Sequence, residues 1–393
     1  MDQIREDLYN YNPWWEGEYA PQYHPRERYL RVLRNSLNRR EVEILTGLRR
    51  VGKTSIMKLF ISELCRSVEP GKIFYASLDS ISLEKFQIAE LVREFRKIHQ
   101  HRREEKIYLF FDEPAYRENL HLELKNLYDS ENVKVFVSGS SSAVLRDKGA
   151  LLTGRARVTE INPLSFSEYL EFRNITIKNS ELYLTEKYFE EYMQDGGMPE
   201  YILTKDVEYL NALIDSIIYK DIAFYRGVRD TSSLKEFFRL LMERAGKQLS
   251  INKISKVTGI SPETAARYFE YFQSTYLIYA IERCGKLNER VRAPKKIYAA
   301  DTGIRNFITG FRDKGAVFEN LFYLLIREKS PCYIYKNTIE LDFFCQNTLY
   351  EIKYSRELPK NQEELFNSFP AANKYLISGI QDYMSFVEGK AEK

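Results

Sequence analysis

The octapeptide Gly47-Leu48-Arg49-Arg50-Val51-Gly52-Lys53-Thr54 fits the phosphate-loop pattern G-x-x-x-x-G-K-[ST] and constrains the fold more than any other feature of the chain. Such a loop works only between a strand and a helix. Val42–Thr46 reads as the entering strand, and residues 55–64 carry apolar side chains at the three- and four-residue spacing of a departing helix. Gly47 and Gly52 let the backbone curl until its N–H groups face a phosphate, and the helix N-terminus adds positive potential. Leu48, Arg49, Arg50, Val51 and Ser55 belong to the same cradle. Lys53 is expected to reach the β- and γ-phosphates as a catalytic charge, and the Thr54 hydroxyl to ligate magnesium. ATP and Mg²⁺ are the expected cofactors.

A second apolar strand, residues 73–78, precedes the run 106–113, which ends in Asp112 and Glu113. Strands buried in a parallel sheet read as continuous apolar runs, and ligands bind at their carboxyl ends. Asp112 is therefore expected beside the loop as a magnesium ligand. Glu113 follows as the catalytic residue that orients or deprotonates the attacking water. The strand Val133–Ser138 runs into Gly139-Ser140-Ser141-Ser142. Ser138 or Ser140 either contacts the γ-phosphate or belongs to a serine-rich turn capping the next helix. Arg155, after Gly154, offers a guanidinium that acts on transferring phosphoryl charge in its own chain or across a subunit interface.

The chain has 393 residues, more than one hydrophobic core usually serves, so two or three domains are expected. A net charge of +3 is too small to imply nucleic acid by itself, so local charge must decide. Cys65, Cys284, Cys332 and Cys345 form no C-x-x-C pair and read as four lone thiols in a reducing interior. The N-terminus lacks the layout of a signal peptide and no stretch is apolar enough to span a bilayer, so a cytoplasmic location without membrane contact is expected. His99 and His101 read as a solvated helix end.

Residues 249–260 read as a short helix stopped by Gly259. A second helix follows, capped by Ser261 and opened by Pro262. Two short helices joined by a glycine turn form a helix-turn-helix signature, and residues 276–281 and 295–300 would supply a wing hairpin. Lys286, Arg290, Arg292, Lys295 and Lys296 crowd the connection, opposed only by Glu289, and could neutralise DNA phosphates without reading sequence. Packing between domains is the competing use. Arg26, Arg28, Arg31, Arg34, Arg39 and Arg40 read mostly as the solvated face of a helix.

The C-terminal segment gives the order αβββαβ, with Gln346-Asn347 suited to a tight hairpin. Side chains two apart on a strand share a face, so Glu351 and Lys353 project together while Asp342 comes alongside from the paired strand. Asp342, Glu351 and Lys353 match the D…E-x-K pattern of restriction-type nucleases. Two carboxylates would hold a second Mg²⁺ or Mn²⁺, Lys353 would help activate water, and Glu319 would be an extra ligand.

Together with Phe111-Asp112-Glu113, Ser138-Gly139-Ser140-Ser141, Gly154-Arg155, residues 163–170 and Gly196-Gly197-Met198-Pro199-Glu200, the loop resembles that of the prokaryotic AAA-type ATPases, best known in archaea, that carry a C-terminal restriction-endonuclease-like domain. The resemblance covers nearly the whole chain. It implies an α/β fold: a P-loop NTPase parallel sheet at 1–170, a helical lid at 171–235, a winged helix at 236–305 and a small restriction-endonuclease-like domain at 306–393. The expected function is magnesium-dependent ATP hydrolysis coupled to action on DNA, in a chain that can form a homo-oligomer. The alternative is a nucleotide-controlled signalling or assembly switch whose C-terminal domain binds a partner and cuts nothing.

Overall fold

Five strands, β1 (Val42–Thr46), β2 (Ile73–Ser77), β3 (Ile107–Asp112), β4 (Val133–Ser138) and β5 (Ala156–Glu160), run parallel in the order β2-β3-β4-β1-β5. The structure is a computed structural model that describes residues 2–114, 117, 119–139 and 154–387. Every position of β1 and β4 is buried, as expected for parallel strands covered on both faces. Register places Leu45, Ser138, Asp112 and Ser77 in one row across four strands, one residue short of where β1 gives way to the glycine loop.

The exposed edge of β2 is closed by side chains rather than by another strand. The Asn12 amide donates to the Tyr75 carbonyl at 2.9 Å and accepts from the Tyr75 N–H at 2.6 Å, while the Trp14 and Trp15 indoles donate to the Ile73 carbonyl at 3.0 and 2.9 Å. Such cover protects an edge from adding a foreign strand. His99 and His101 are not a solvated end. His99 meets the Trp15 ring edge-on at 4.5 Å, and the His101 imidazole lies 2.7 Å from the Gly71 carbonyl.

The chain divides into two compact units, Met1–Asn162 and Pro163–Lys393. Within the second, β6 (Gln248–Leu249), β7 (Ile278–Ile281) and β8 (Lys295–Ala299) form an antiparallel sheet in the order β6-β8-β7. The helices Ile251–Thr258 and Pro262–Ser274 flank Gly259, which is left-handed at φ 69°, and the Ser261 hydroxyl accepts the Thr264 N–H at 3.2 Å. A four-stranded sheet follows, built from β9 (Cys332–Lys336), β10 (Ile339–Cys345), β11 (Thr348–Ile352) and β12 (Asn373–Ile377). Its order is β12-β11-β10-β9, with β12 parallel to β11. The helices Lys314–Ile326 and Lys360–Ser368 complete the αβββαβ order.

Tyr169, Phe189, Phe318, Phe322, Tyr350 and Tyr383 share one buried aromatic core. The C-terminal sheet and the helices Phe166–Phe172, Leu184–Asp195 and Lys314–Ile326 therefore share a core. Its polar seam is Asp301, whose carboxylate accepts the Gly197 N–H at 2.6 Å and the Ile304 N–H at 2.9 Å. A Cβ on Gly197 would fall 2.4 Å from the Leu164 carbonyl oxygen, which accounts for a glycine there by packing alone.

The reading of four lone thiols is corrected: Cys284 and Cys332 form a disulfide with their Cα atoms 5.1 Å apart, and Cys65 and Cys345 are the free pair. Backbone pairing brings the two together, because Cys284 N–H donates to the Tyr333 carbonyl at 2.8 Å and Tyr333 N–H donates to that of Glu282 at 3.1 Å. A spacing of 48 residues carries no hint of this proximity. Among the described residues no helix is long and apolar enough to cross a membrane.

Candidate functional site

The loop after β1 has the backbone that its glycines permit. Gly47 and Gly52 have φ values of 133° and 94°, and Arg50 joins them at 64°. A Cβ on Gly47 would lie 2.3 Å from the Ile161 carbonyl oxygen, so glycine is required there twice over, by conformation and by space. Gly52 caps the helix Lys53–Leu64, leaving its first N–H groups directed into the loop. The buried Lys53 ammonium donates to the carbonyls of Gly47 and Leu48 at 3.1 and 2.9 Å. Leu48 and Val51 are buried, whereas Arg49, Thr54 and Ser55 are half-buried and Arg50 is exposed.

Asp112, only 2% exposed, is the centre of the site. The Thr54 hydroxyl donates to its Oδ2 at 2.7 Å, the Tyr75 hydroxyl donates to the same oxygen at 2.9 Å, and the Ser138 hydroxyl donates to Oδ1. Burial and the Asp112 charge together push the Tyr75 phenol well above its ordinary pKa, so it stays a donor. Glu113 leaves β3 in a left-handed conformation at φ 47°, its N–H donating to the Ser138 carbonyl at 3.0 Å. Thr54 and Asp112 are hard oxygen donors meeting at a helix N-terminus, a set that fits Mg²⁺ beside a phosphate.

The second unit holds another carboxylate cluster. Asp342 and Glu351 lie side by side where the β10–β11 ladder opens. Asp342 N–H donates to Glu351 Oε2 at 3.1 Å, and Ile352 N–H donates to Asp342 Oδ2 at 3.0 Å. Lys353 donates to Glu351 Oε1 at 2.6 Å, and Gln362 donates to the same oxygen at 2.7 Å. The buried ammonium of Lys296 contacts Glu319 Oε1 at 2.8 Å, Glu340 Oε1 at 2.5 Å and Asp342 Oδ1 at 2.9 Å. Burial opposes the charge on Lys296, but Asp342 and Glu319 outweigh it and hold its pKa well above the usual range. Burial and the neighbouring Asp342 push Glu319 up to about 7.

Residues 39–170 match a family described as an AAA domain, and residues 186–315 match a domain of unknown function, DUF8612. An uncharacterised protein of Methanocaldococcus jannaschii is 30% identical over 333 residues, covering 77% of this chain and 71% of that one. The chain belongs to this family of AAA-domain proteins. An uncharacterised protein of Haemophilus influenzae is 27% identical over 391 residues, covering 93% of this chain and 95% of its own. A structure of the Aeropyrum pernix ORC1 protein in complex with DNA is similar at a TM-score of 0.34 and 13% identity, covering 75% of this chain and 95% of that one.

The AAA domain thus carries the loop and the acid pair, and the sheet brings Lys53, Thr54, Asp112, Glu113 and Ser138 to one end. Arg155 is not brought there. Its carbonyl accepts the Val42 N–H at 2.8 Å, which puts it at the amino end of β1 and β5 while the loop leaves the carboxyl end. Arg155 instead pairs with Asp129 at 3.2 Å, so its role at the phosphates of its own chain is withdrawn. Ser140 lies outside the described residues.

Two residues of the first unit, Tyr75 and Arg26, escaped the sequence reading. Tyr75 is a hydroxyl-bearing residue in the strand beside β3, which was the available signal. Arg26, read as part of a solvated face, is buried, and it donates to the Val51 carbonyl of the loop at 3.1 Å and to that of Asn162 at 2.8 Å.

Two C-terminal readings also change. Lys296 leaves the basic cluster for the acid cluster, while Lys286, Arg290, Arg292 and Lys295 remain exposed. Glu289 is also not the cluster's sole opponent, since Arg290 pairs with Glu282 at 2.6 Å. Glu319, Asp342 and Glu351 do come together, but as partners of lysines and backbone amides. Among the described residues no three His, Cys, Asp or Glu side chains are arranged to hold a metal ion, so the donor set as built does not fit one.

Proposed function

We propose that the chain is a magnesium-dependent ATPase whose first unit does the chemistry. The observation that carries this is the 2.7 Å contact between the Thr54 hydroxyl and Asp112, two residues 58 positions apart that meet at the mouth of a glycine loop. Lys53 holds the β- and γ-phosphates, Thr54 and Asp112 hold Mg²⁺, which neutralises phosphate charge, and Ser138 keeps the Asp112 carboxylate oriented. Glu113 orients or deprotonates the attacking water. Phosphate release tests the reading: Lys53→Ala should slow hydrolysis about 10²–10³-fold, the usual loss when one preorganised charge-stabilising donor is removed. Hydrolysis at the parent rate would refute it.

We further propose that the nucleotide state governs a nucleic-acid-binding second unit. A winged helix at 236–305 and a restriction-endonuclease-like domain at 306–393 are supported by the helix-turn-helix with its hairpin and by the αβββαβ order. Lys286, Arg290, Arg292 and Lys295 supply phosphate contacts that hold DNA without reading its sequence. Lys296 favours holding over cutting, because it occupies the acid cluster that cleavage would need. Replacing those four exposed cations with alanine should weaken binding of duplex DNA and flatten its dependence on log salt by about 0.9 per lost phosphate contact. An unchanged salt slope would remove DNA from the reading.

A further inference from the structure

We infer that Lys296 is the resident cation of the C-terminal carboxylate cluster, standing where a divalent metal ion would otherwise sit. This departs from the metal site expected from Asp342, Glu351 and Glu319, and it is independent of the ATPase reading. Three acids from two elements, Glu319 on the helix Lys314–Ile326 and Glu340 and Asp342 on β10, direct one oxygen each at a single nitrogen, at 2.8, 2.5 and 2.9 Å. An octahedral ion such as Mg²⁺ draws its oxygens to about 2.0–2.1 Å, so ammonium and metal compete for the same three oxygens.

Other oxygens of the cluster are engaged as well. Glu351 Oε1 accepts from Lys353 and Gln362, Glu351 Oε2 accepts the Asp342 N–H, and Asp342 Oδ2 accepts the Ile352 N–H. Tyr298 adds a donor at 2.8 Å to Glu319 Oε1, and Gln248 donates to the other Glu340 oxygen at 2.6 Å. Lys296 is only 1% exposed, so its charge must find its partners inside the protein. It comes from β8 of the three-stranded sheet, whereas Asp342 and Glu351 come from the four-stranded one. The ammonium therefore ties two sheets together at a point where a nuclease would keep an ion.

The prediction is that this cluster becomes a divalent-cation site when the ammonium alone is removed. Mn²⁺ titration without nucleotide, on the full chain, compares the parent with Lys296→Met, Asp342→Asn and the double variant. Lys296→Met should gain one bound Mn²⁺ and a rise in melting temperature on adding it. Both, counted beyond any Mn²⁺ taken up at Thr54 and Asp112, should be absent from the parent and from the double variant. If Lys296→Met is unfolded, Mn²⁺ should restore its fold, and failure to do so overturns the inference. The inference also falls if the parent binds Mn²⁺ in a manner lost in Asp342→Asn, or if a folded Lys296→Met gains no site.

Discussion

Asp112 and Asp342 are both buried acids, and they are held in opposite ways. Asp112 is surrounded by the neutral hydroxyls of Thr54, Tyr75 and Ser138. Asp342 faces the ammonium groups of Lys296 at 2.9 Å and Lys353 at 3.7 Å. A hydroxyl can swing its lone pair toward an arriving cation while remaining in place, so the first site can exchange partners at little electrostatic cost. An ammonium already supplies the positive charge and must leave before another cation enters. The same side chain thus meets neutral donors in one unit and positive charge in the other.

Two of the buried lysines, Lys53 and Lys296, sharpen that contrast, and here the largest effect on stability is expected. Lys296→Ala would leave Glu319, Glu340 and Asp342 around a lost partner, and removing one member of a buried charge cluster typically costs about 3–5 kcal/mol. Lys53→Ala removes hydrogen bonds to two carbonyls and should cost less, about 1–3 kcal/mol at roughly 0.5–1.5 kcal/mol per bond, while abolishing most hydrolysis. Urea denaturation of both variants decides the matter. Equal losses would break the distinction between a lysine kept for function and one kept for structure.

The loop, the acid pair and the order αβββαβ were legible because each rests on local spacing: glycines at fixed offsets, an apolar strand ending in acids, alternation along a strand. Partner choice depends on distant chain and was not legible. Lys295 and Lys296 look alike in sequence, yet neighbours on a strand face opposite ways, so one reaches solvent and the other the acids. That alternation was the available signal. The reading of Arg155 at the phosphates of its own chain fails because its place at the start of a parallel strand puts it at the opposite end of the sheet from the loop, which the glycine before it does not reveal. Nothing local distinguishes Cys284 and Cys332 from the two free thiols.

Asp301 extends the comparison to a third kind of partner, with a smaller expected effect. It is 2% exposed and is held by backbone N–H groups, those of Gly197, Gly303 and Ile304. Those amides favour its charge but do not offset burial, which raises its pKa from 3.8 to about 6. The folded protein therefore holds this proton more tightly than the unfolded chain. Its contribution to stability is complete below pH 3.8 and is lost as pH rises toward about 6, by no more than roughly 3 kcal/mol at 1.36 kcal/mol per unit. Asp301→Asn carries no titrating proton, so the difference in urea midpoint between parent and variant should shift in the variant's favour between pH 4 and pH 6 and then level off. A difference that stays constant across that range would mean that amides neutralise the cost of burial as fully as Lys296 does for Asp342, and the ranking of partners drawn from the first two sites would not hold.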